Sequence, residues 1–193
     1  MGSAVGRPER TRSVKIVVTG PFGAGKTSLI STISEIDVLS TEKAVTDGTG
    51  TPAKARTTVA MDFGRLTIDD ELALYLFGTP GQKRFDFMWE ILAEGMLGFI
   101  VMVDAQRDEV LEETREIVRF FSDTADVPFV VAVNKVQGGD AEAVERARTL
   151  LGLGPDVRMV GCSALERESV KTVLLELLYA VLDDVEERES AAV

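Results

Sequence analysis

The segment "GPFGAGKT" sets Gly20, Gly25, Lys26 and Thr27 in the spacing Gly-x-x-x-x-Gly-Lys-Thr. That pattern suits one chemistry, the gripping of a polyphosphate. Glycines permit backbone turns that side chains would block. Successive N–H groups of Gly23, Ala24, Gly25, Lys26 and Thr27 can then point inward at phosphate oxygens. The N-terminal end of the helix that must follow adds favourable potential, and Ser28 lies in the same first turn. Lys26 would reach the outer phosphates, and the Thr27 hydroxyl would ligate Mg²⁺.

Such a loop must sit between a strand and a helix, and the sequence supplies both. "VKIVVTG" (14–20) is a continuous β-branched apolar run, as expected of a strand covered on both faces. "KTSLISTISEI" (26–36) follows with helical spacing. The stretch 37–56 is rich in Thr, Gly and Pro and reads as a long loop, a feature that in a compact domain is commonly functional. "TTVAMDFGRLTI" and "ELALYLFG" flank Asp69-Asp70, which predicts a hairpin with a two-residue turn. Helix and strand patterns then alternate to a final amphipathic helix, "ESVKTVLLELLYAVLDDV". The expectation is a single α/β domain of the P-loop NTPase type. It has a six-stranded, mainly parallel sheet with one antiparallel hairpin strand and about five flanking helices. Ligands bind such folds beyond the carboxyl ends of the strands. Residues 1–12 and 187–193 are polar and read as flexible ends around a domain at 13–186.

With 193 residues, 45% of them hydrophobic and 27% charged, the chain has the balance of an ordinary globular domain. Its net charge of −11 disfavours nucleic-acid and anionic-membrane partners. A bound nucleotide needs only a local positive pocket. There is no histidine, which excludes a Ser–His triad and a histidine metal cluster. The lone Cys162 fits a reducing cytoplasm and a small packed residue. No apolar run reaches membrane-spanning length, and neither end carries a lipidation signal.

Further motifs follow the phosphate loop in the order found in small GTPases, and the chain resembles that family from about residue 14 to 182. "TTVAMDF" (57–63) is similar to the second motif, "GTPGQ" (78–82) to the third, "NKVQ" (134–137) to the fourth and "CSA" (162–164) to the fifth. The wording is closest to bacterial Ras-like GTPases of the gliding-motility type and of the actinobacterial conservon type. The resemblance implies GTP and GDP as ligands, with Mg²⁺. It assigns Thr58 to Mg²⁺ and the γ-phosphate, the Gly81 N–H to the γ-phosphate, and Gln82 to the attacking water. Asn134 would tie the base loop to the phosphate loop. Lys135 would lie along the base face, with Ser163 and Ala164 supporting the base from the other side through the Ala164 N–H.

Three positions depart from or add to that pattern. Gly78 stands where the third motif normally carries aspartate. If Ile68 pairs with Glu71 across the turn, Asp62 faces Phe77, one position away. Neighbouring strands lie about 4.8 Å apart, so its carboxylate could reach the magnesium waters. A slip of one would set it directly opposite Gly78. Asp62 thus either supplies the missing charge or is merely exposed at the sheet edge. Gln137 replaces the aspartate that reads guanine, and a neutral oxygen makes the weaker bond, so guanine preference should relax. GTP is still favoured over ATP, because Asn134, Lys135, Ser163 and Ala164 remain. Arg56 lies two residues before Thr58 and is either an intrinsic catalytic finger or a solvated loop arginine; Lys54 and Arg84 are weaker candidates.

In the second switch segment, Phe85, Met88, Trp89 and Leu92 form a core-facing stripe, with Phe87 off it as a partner contact. The leading expectation is a monomeric, cytoplasmic switch with slow hydrolysis through Gln82, Arg56 and Lys26. It would signal through residues 37–58 and 79–95 to regulators and effectors, with a roadblock-type activator suggested by the resemblance. The alternatives are a nucleotide-dependent binding module that hydrolyses little, or relaxed GTP/ATP choice. A P-loop kinase would need an arginine-rich lid, and none is evident.

Overall fold

Along the strand segments, apolar residues occupy both faces, and each face meets a different set of helices. The computed structural model describes residues 12–40, 61–81, 87–136 and 140–191. Strands run β1 (Arg12–Thr19), β2 (Leu39–Ser40), β3 (Asp62–Thr67), β4 (Leu72–Gly78), β5 (Met96–Asp104), β6 (Phe129–Asn134) and β7 (Arg158–Cys162). Helices are α1 (Lys26–Ile33), α2 (Phe87–Ala93), α3 (Leu111–Thr124), α4 (Ala141–Leu151) and α5 (Arg167–Ala191). The sheet order is β2-β3-β4-β1-β5-β6-β7. β1 is parallel to β4 and β5, and β6 is parallel to β5 and β7. The antiparallel pairs are β2 with β3 and β3 with β4.

The apolar residues divide by face. Ile16, Val18, Leu74, Leu76, Ile100 and Met102 pack with Leu29, Ile30 and Ile33 of α1 and Val170, Val173 and Leu177 of α5. Val17, Phe99, Val101, Val103 and Val133 pack with Leu92 of α2, Ile117 and Phe121 of α3 and Leu151 of α4. Both faces of the central strands are thus dry, which anchors their ends. The carboxyl ends of β1, β4, β5, β6 and β7 emerge together at one edge of the sheet, where ligands bind folds of this kind.

The expected architecture holds, with corrections at its margins. The stretch expected as loop from residue 37 begins instead with β2, a seventh, two-residue edge strand. Helix α1 ends at Ile33, short of Ile36. Ser34 is extended (φ −62°, ψ 141°), and its hydroxyl accepts from the Ile36 N–H, an alternative to continuing the helix. The tail expected to fray from residue 187 continues α5 to Ala191. Arg188 fastens that end by donating to Asp184 Oδ2 and to Asp126 Oδ2 and O, each at 2.9 Å. Arg12, placed with the flexible start, opens β1 opposite Leu72.

The hairpin register also differs by one. Asp62 lies opposite Gly78, not Phe77, and the last pair is Thr67 with Ala73. The Asp69 carboxylate accepts from the N–H groups of Glu71 and Leu72, both at 2.8 Å, and closes the turn between Thr67 and Ala73. The two-residue turn expected at Asp69-Asp70 would have required Ile68 to pair with Glu71. An aspartate accepting from its own downstream backbone favours the wider turn.

Candidate functional site

Gly25 is the N-cap of α1 and has a left-handed backbone (φ 108°), which glycine adopts without strain. A Cβ there would also collide with Asn134 Nδ2. The first turn of α1 carries no acidic side chain. The other four helices each place a glutamate there: Glu90, Glu112 with Glu113, Glu142 and Glu168. Those acids complement their helix dipoles, whereas the positive end of α1 is left to an anionic ligand. Lys26 is buried, 7% exposed. Its ammonium donates to the carbonyls of Gly20 at 2.6 Å and Pro21 at 2.8 Å, which wraps the loop around it. Gly81 closes over the loop, because a Cβ there would sit 2.8 Å from Phe22 Cα and 2.9 Å from Lys26 Nζ. The side chain of Thr79 accompanies it, donating to Thr19 Oγ1 at 3.0 Å and so stitching the ends of β4 and β1.

The Thr27 hydroxyl donates to Asp62 Oδ2 at 2.5 Å. This joins the phosphate loop to the strand across from Gly78. A Cβ at Gly78 would lie 3.1 Å from Asp62 Cβ, 3.3 Å from Asp62 Oδ2 and 3.0 Å from Ile30 Cδ1. The space a side chain at position 78 would need is therefore the space Asp62 uses. The hydroxyl and carboxylate form a pair of hard oxygen donors beside the loop. That set fits Mg²⁺, which takes one or two protein oxygens and completes its shell with phosphate and water.

At the other end of the cleft, Asn134 is 4% exposed at the end of β6. Its Nδ2 donates to Ala24 O at 2.8 Å, and its Oδ1 accepts from Ala164 N at 2.9 Å, so the N–H expected to face a base is here taken up by Asn134. One side chain thus fastens the phosphate loop and the segment after β7 to the same point. Ser163 is held in turn: its N–H donates to Ser169 Oγ at 2.9 Å. Cys162 is fully buried beneath this segment, and burial pushes its thiol pKa up. Lys135 has a left-handed backbone (φ 65°), unusual outside glycine. Its ammonium bonds Asp104 Oδ2 at 2.5 Å.

Sequence reasoning missed Asp104, Gln106 and Arg107, which follow from the end of β5. Gln106 Nε2 donates to Lys135 O at 3.3 Å, and Arg107 Nη1 donates to Phe22 O at 3.0 Å. The segment therefore links the loop after β6 to the phosphate loop. The available signal was Asp104 itself, an acid closing the apolar run "LGFIVMVD" at a ligand-facing strand end.

Lys26, Thr27, Asp62, Gly81, Asn134, Lys135 and Ala164 line the carboxyl edge of the sheet, as do Gly20, Gly23, Gly25 and Ser28. Thr58, Gln82, Arg56, Gln137, Lys54, Arg84 and Phe85 lie outside the described residues. On α2, Leu92 is buried and Trp89 packs against Phe120 and Phe121, with ring centroids 5.2 and 5.9 Å away. Phe87 is 62% exposed, as its place off the stripe predicted, and Ile91, one turn on, is 63% exposed.

Residues 36–184 match the family described as conserved hypothetical ATP binding protein. The chain belongs to this family. The matched span begins after the phosphate loop and takes in Asp62, Asn134 and the loops after β5 and β7. An uncharacterized protein of Methanocaldococcus jannaschii is 33% identical over 132 residues, covering 68% of this chain and 76% of that protein. Translation initiation factor IF-2 of Rickettsia felis is 28% identical over 186 residues, 91% of this chain. The same factor of Trichlorobacter lovleyi is 31% identical over 178 residues, 88% of this chain. The chain spans only about a fifth of these two factors, 21% and 17% of their lengths. This member of the ATP-binding family is a nucleotide-binding P-loop protein. No helix among the described residues is long and apolar enough to cross a membrane.

Proposed function

We propose that the chain is a GTP-binding switch that hydrolyses GTP slowly with Mg²⁺. The observation that carries the reading is the double bond of Asn134 to Ala24 O and Ala164 N, at 2.8 and 2.9 Å. It ties the phosphate loop to the segment after β7, the two stretches that this reading assigns to the phosphates and the base. An ATP label attaches to the family; guanine is favoured here by the Asn134-Lys135 pair with Ser163-Ala164, while the neutral Gln137 makes the choice less strict.

In this reading the backbone N–H groups from Gly23 to Thr27 bind the phosphates, and Lys26 exchanges the loop carbonyls for phosphate oxygens. Thr27 and Asp62 would hold Mg²⁺, which supplies charge neutralisation on the phosphate tail. Asp62 replaces the carboxylate absent at Gly78. The Gly81 N–H and Thr58 meet the γ-phosphate, Gln82 orients water, and Arg56 offers a cation to the developing charge. Loss of the γ-phosphate releases residues 37–58 and 79–95, and exposed Phe87 and Ile91 report the change to a partner protein. The partner class includes effectors and a roadblock-type activator, and the setting is the cytoplasm.

Chromatography of the nucleotide co-purifying with the protein, followed by single-turnover phosphate release from GTP and from ATP, tests this. Guanine nucleotide and faster release from GTP are expected. Adenine nucleotide with preferred ATP turnover contradicts the base assignment. Bound guanine nucleotide with no phosphate release, with or without a partner, favours the second reading of a binding module, which Gly78 and Gln137 motivate.

A further inference from the structure

Asp104 is the buried acid that the proposed function leaves without a task. Its side chain is 0% exposed, and it closes β5 at the ligand-facing edge. Burying a carboxylate is costly unless it is paired and hydrogen-bonded. Here Oδ1 accepts from the Gln106 N–H at 3.0 Å and Oδ2 from the Lys135 ammonium at 2.5 Å. The lysine is constrained from its backbone side as well. It holds φ 65°, and its carbonyl accepts from Gln106 Nε2. Its side chain is still 39% exposed. With the ammonium tied inward, the open part is the four-carbon stem.

We infer that Asp104 is a positioning residue for nucleoside binding: it pre-sets the Lys135 stem as an apolar rail for the purine ring. This rests on the nucleotide-binding reading above and deepens it. A lysine carries many rotamers, and fixing them before the ligand arrives removes an ordering cost from binding. The rail touches the ring face and so carries no information about which purine is present. Its share of the binding is larger here because position 137 offers a neutral glutamine instead of a carboxylate. Asp104 thus supplies grip, and base choice is left to other groups.

The test is a double-mutant cycle with D104N, K135M and the double variant. Fluorescently tagged GDP and IDP serve as probes, the second lacking only the 2-amino group. D104N keeps the acceptor for the Gln106 N–H and removes only the charge facing the lysine. It should weaken GDP and IDP by the same factor, roughly three- to tenfold, the ordering cost of one long side chain. When GTP turnover is followed, the loss should appear in KM. In the K135M background D104N should add no further loss, because its effect passes through the lysine. Unchanged GDP binding in D104N, an altered GDP-to-IDP ratio, or an undiminished loss in the K135M background overturns the inference. Should D104N melt at room temperature without ligand, K135M alone decides: it must weaken both probes equally, and an unequal loss overturns the inference. Wild-type protein that binds neither probe removes the guanine-nucleotide reading on which the inference rests, a result visible before any substitution.

Discussion

At the base end of the cleft, Asn134 is 4% exposed, and both of its amide atoms are bound to backbone. At the phosphate end, Thr27 of α1 is exposed, and its hydroxyl meets the carboxylate of Asp62 on β3, 35 residues away in sequence. The first arrangement is a buried staple whose partners have no alternative in water. The second is a side-chain pair near the surface, joined to a loop whose lysine bonds its own carbonyls. In the proposed reading, the base end is set before ligand binds, while the phosphate end exchanges partners when phosphate and metal arrive. The proposed switch would need this division, since only the end that senses phosphate should move.

Substitutions can break the comparison at either end. The largest effect is expected from K26A. Lost charge-assisted bonds are worth about 1.5–3 kcal/mol each, so nucleoside triphosphate affinity measured by calorimetry should fall at least about a hundredfold. N134A acts on the fold itself: it strands Ala24 O and Ala164 N, and each stranded buried group costs about 1–3 kcal/mol. Urea unfolding without ligand should show that loss. An N134A protein as stable as wild type would show that the staple is not structural.

An exchange of residues across the hairpin sharpens the contrast further. G78D alone adds a side chain into space used by Asp62 and Ile30, at an expected cost of about 1–3 kcal/mol. The D62G/G78D pair should recover stability by urea titration and keep magnesium-dependent nucleotide binding. The smallest effect concerns Glu35, which links the end of α1 to β3. The Thr67 N–H, then the Thr67 hydroxyl, hold its carboxyl below the ordinary range. A carboxyl depressed in the folded state stabilises above its unfolded pKa, and that contribution is lost as pH falls through the folded value. E35Q should therefore flatten the acid limb of a stability–pH curve slightly and leave neutral-pH nucleotide binding alone.

How far the sequence foretold this molecule varies with the kind of signal. The phosphate loop was legible because its glycines and Lys26 answer a local backbone demand. The alternation of strands and helices was legible because both strand faces are apolar. The hairpin register was not, because a single side chain, Asp69, accepts two N–H groups and widens the turn by more than residue type reveals. That one-residue difference moved Asp62 from beside Gly78 to directly opposite it. The brace from Asp104 to Arg107 was invisible for another reason. Its partners, Lys135 and Phe22, lie 31 and 85 residues away, and only the sheet order brings them near. The length of α5 was hidden because its last turns are polar and are fastened by Arg188 to Asp126, 62 residues distant.

The proposed relocation of the magnesium-side carboxylate from position 78 to Asp62 is tested most directly by titrating Mg²⁺ against nucleotide affinity in wild type and D62A. Wild-type GDP and GTP affinity should rise steeply as magnesium replaces EDTA, and D62A should lose most of that gain while retaining metal-free binding. An identical magnesium dependence in the two proteins would contradict the assignment.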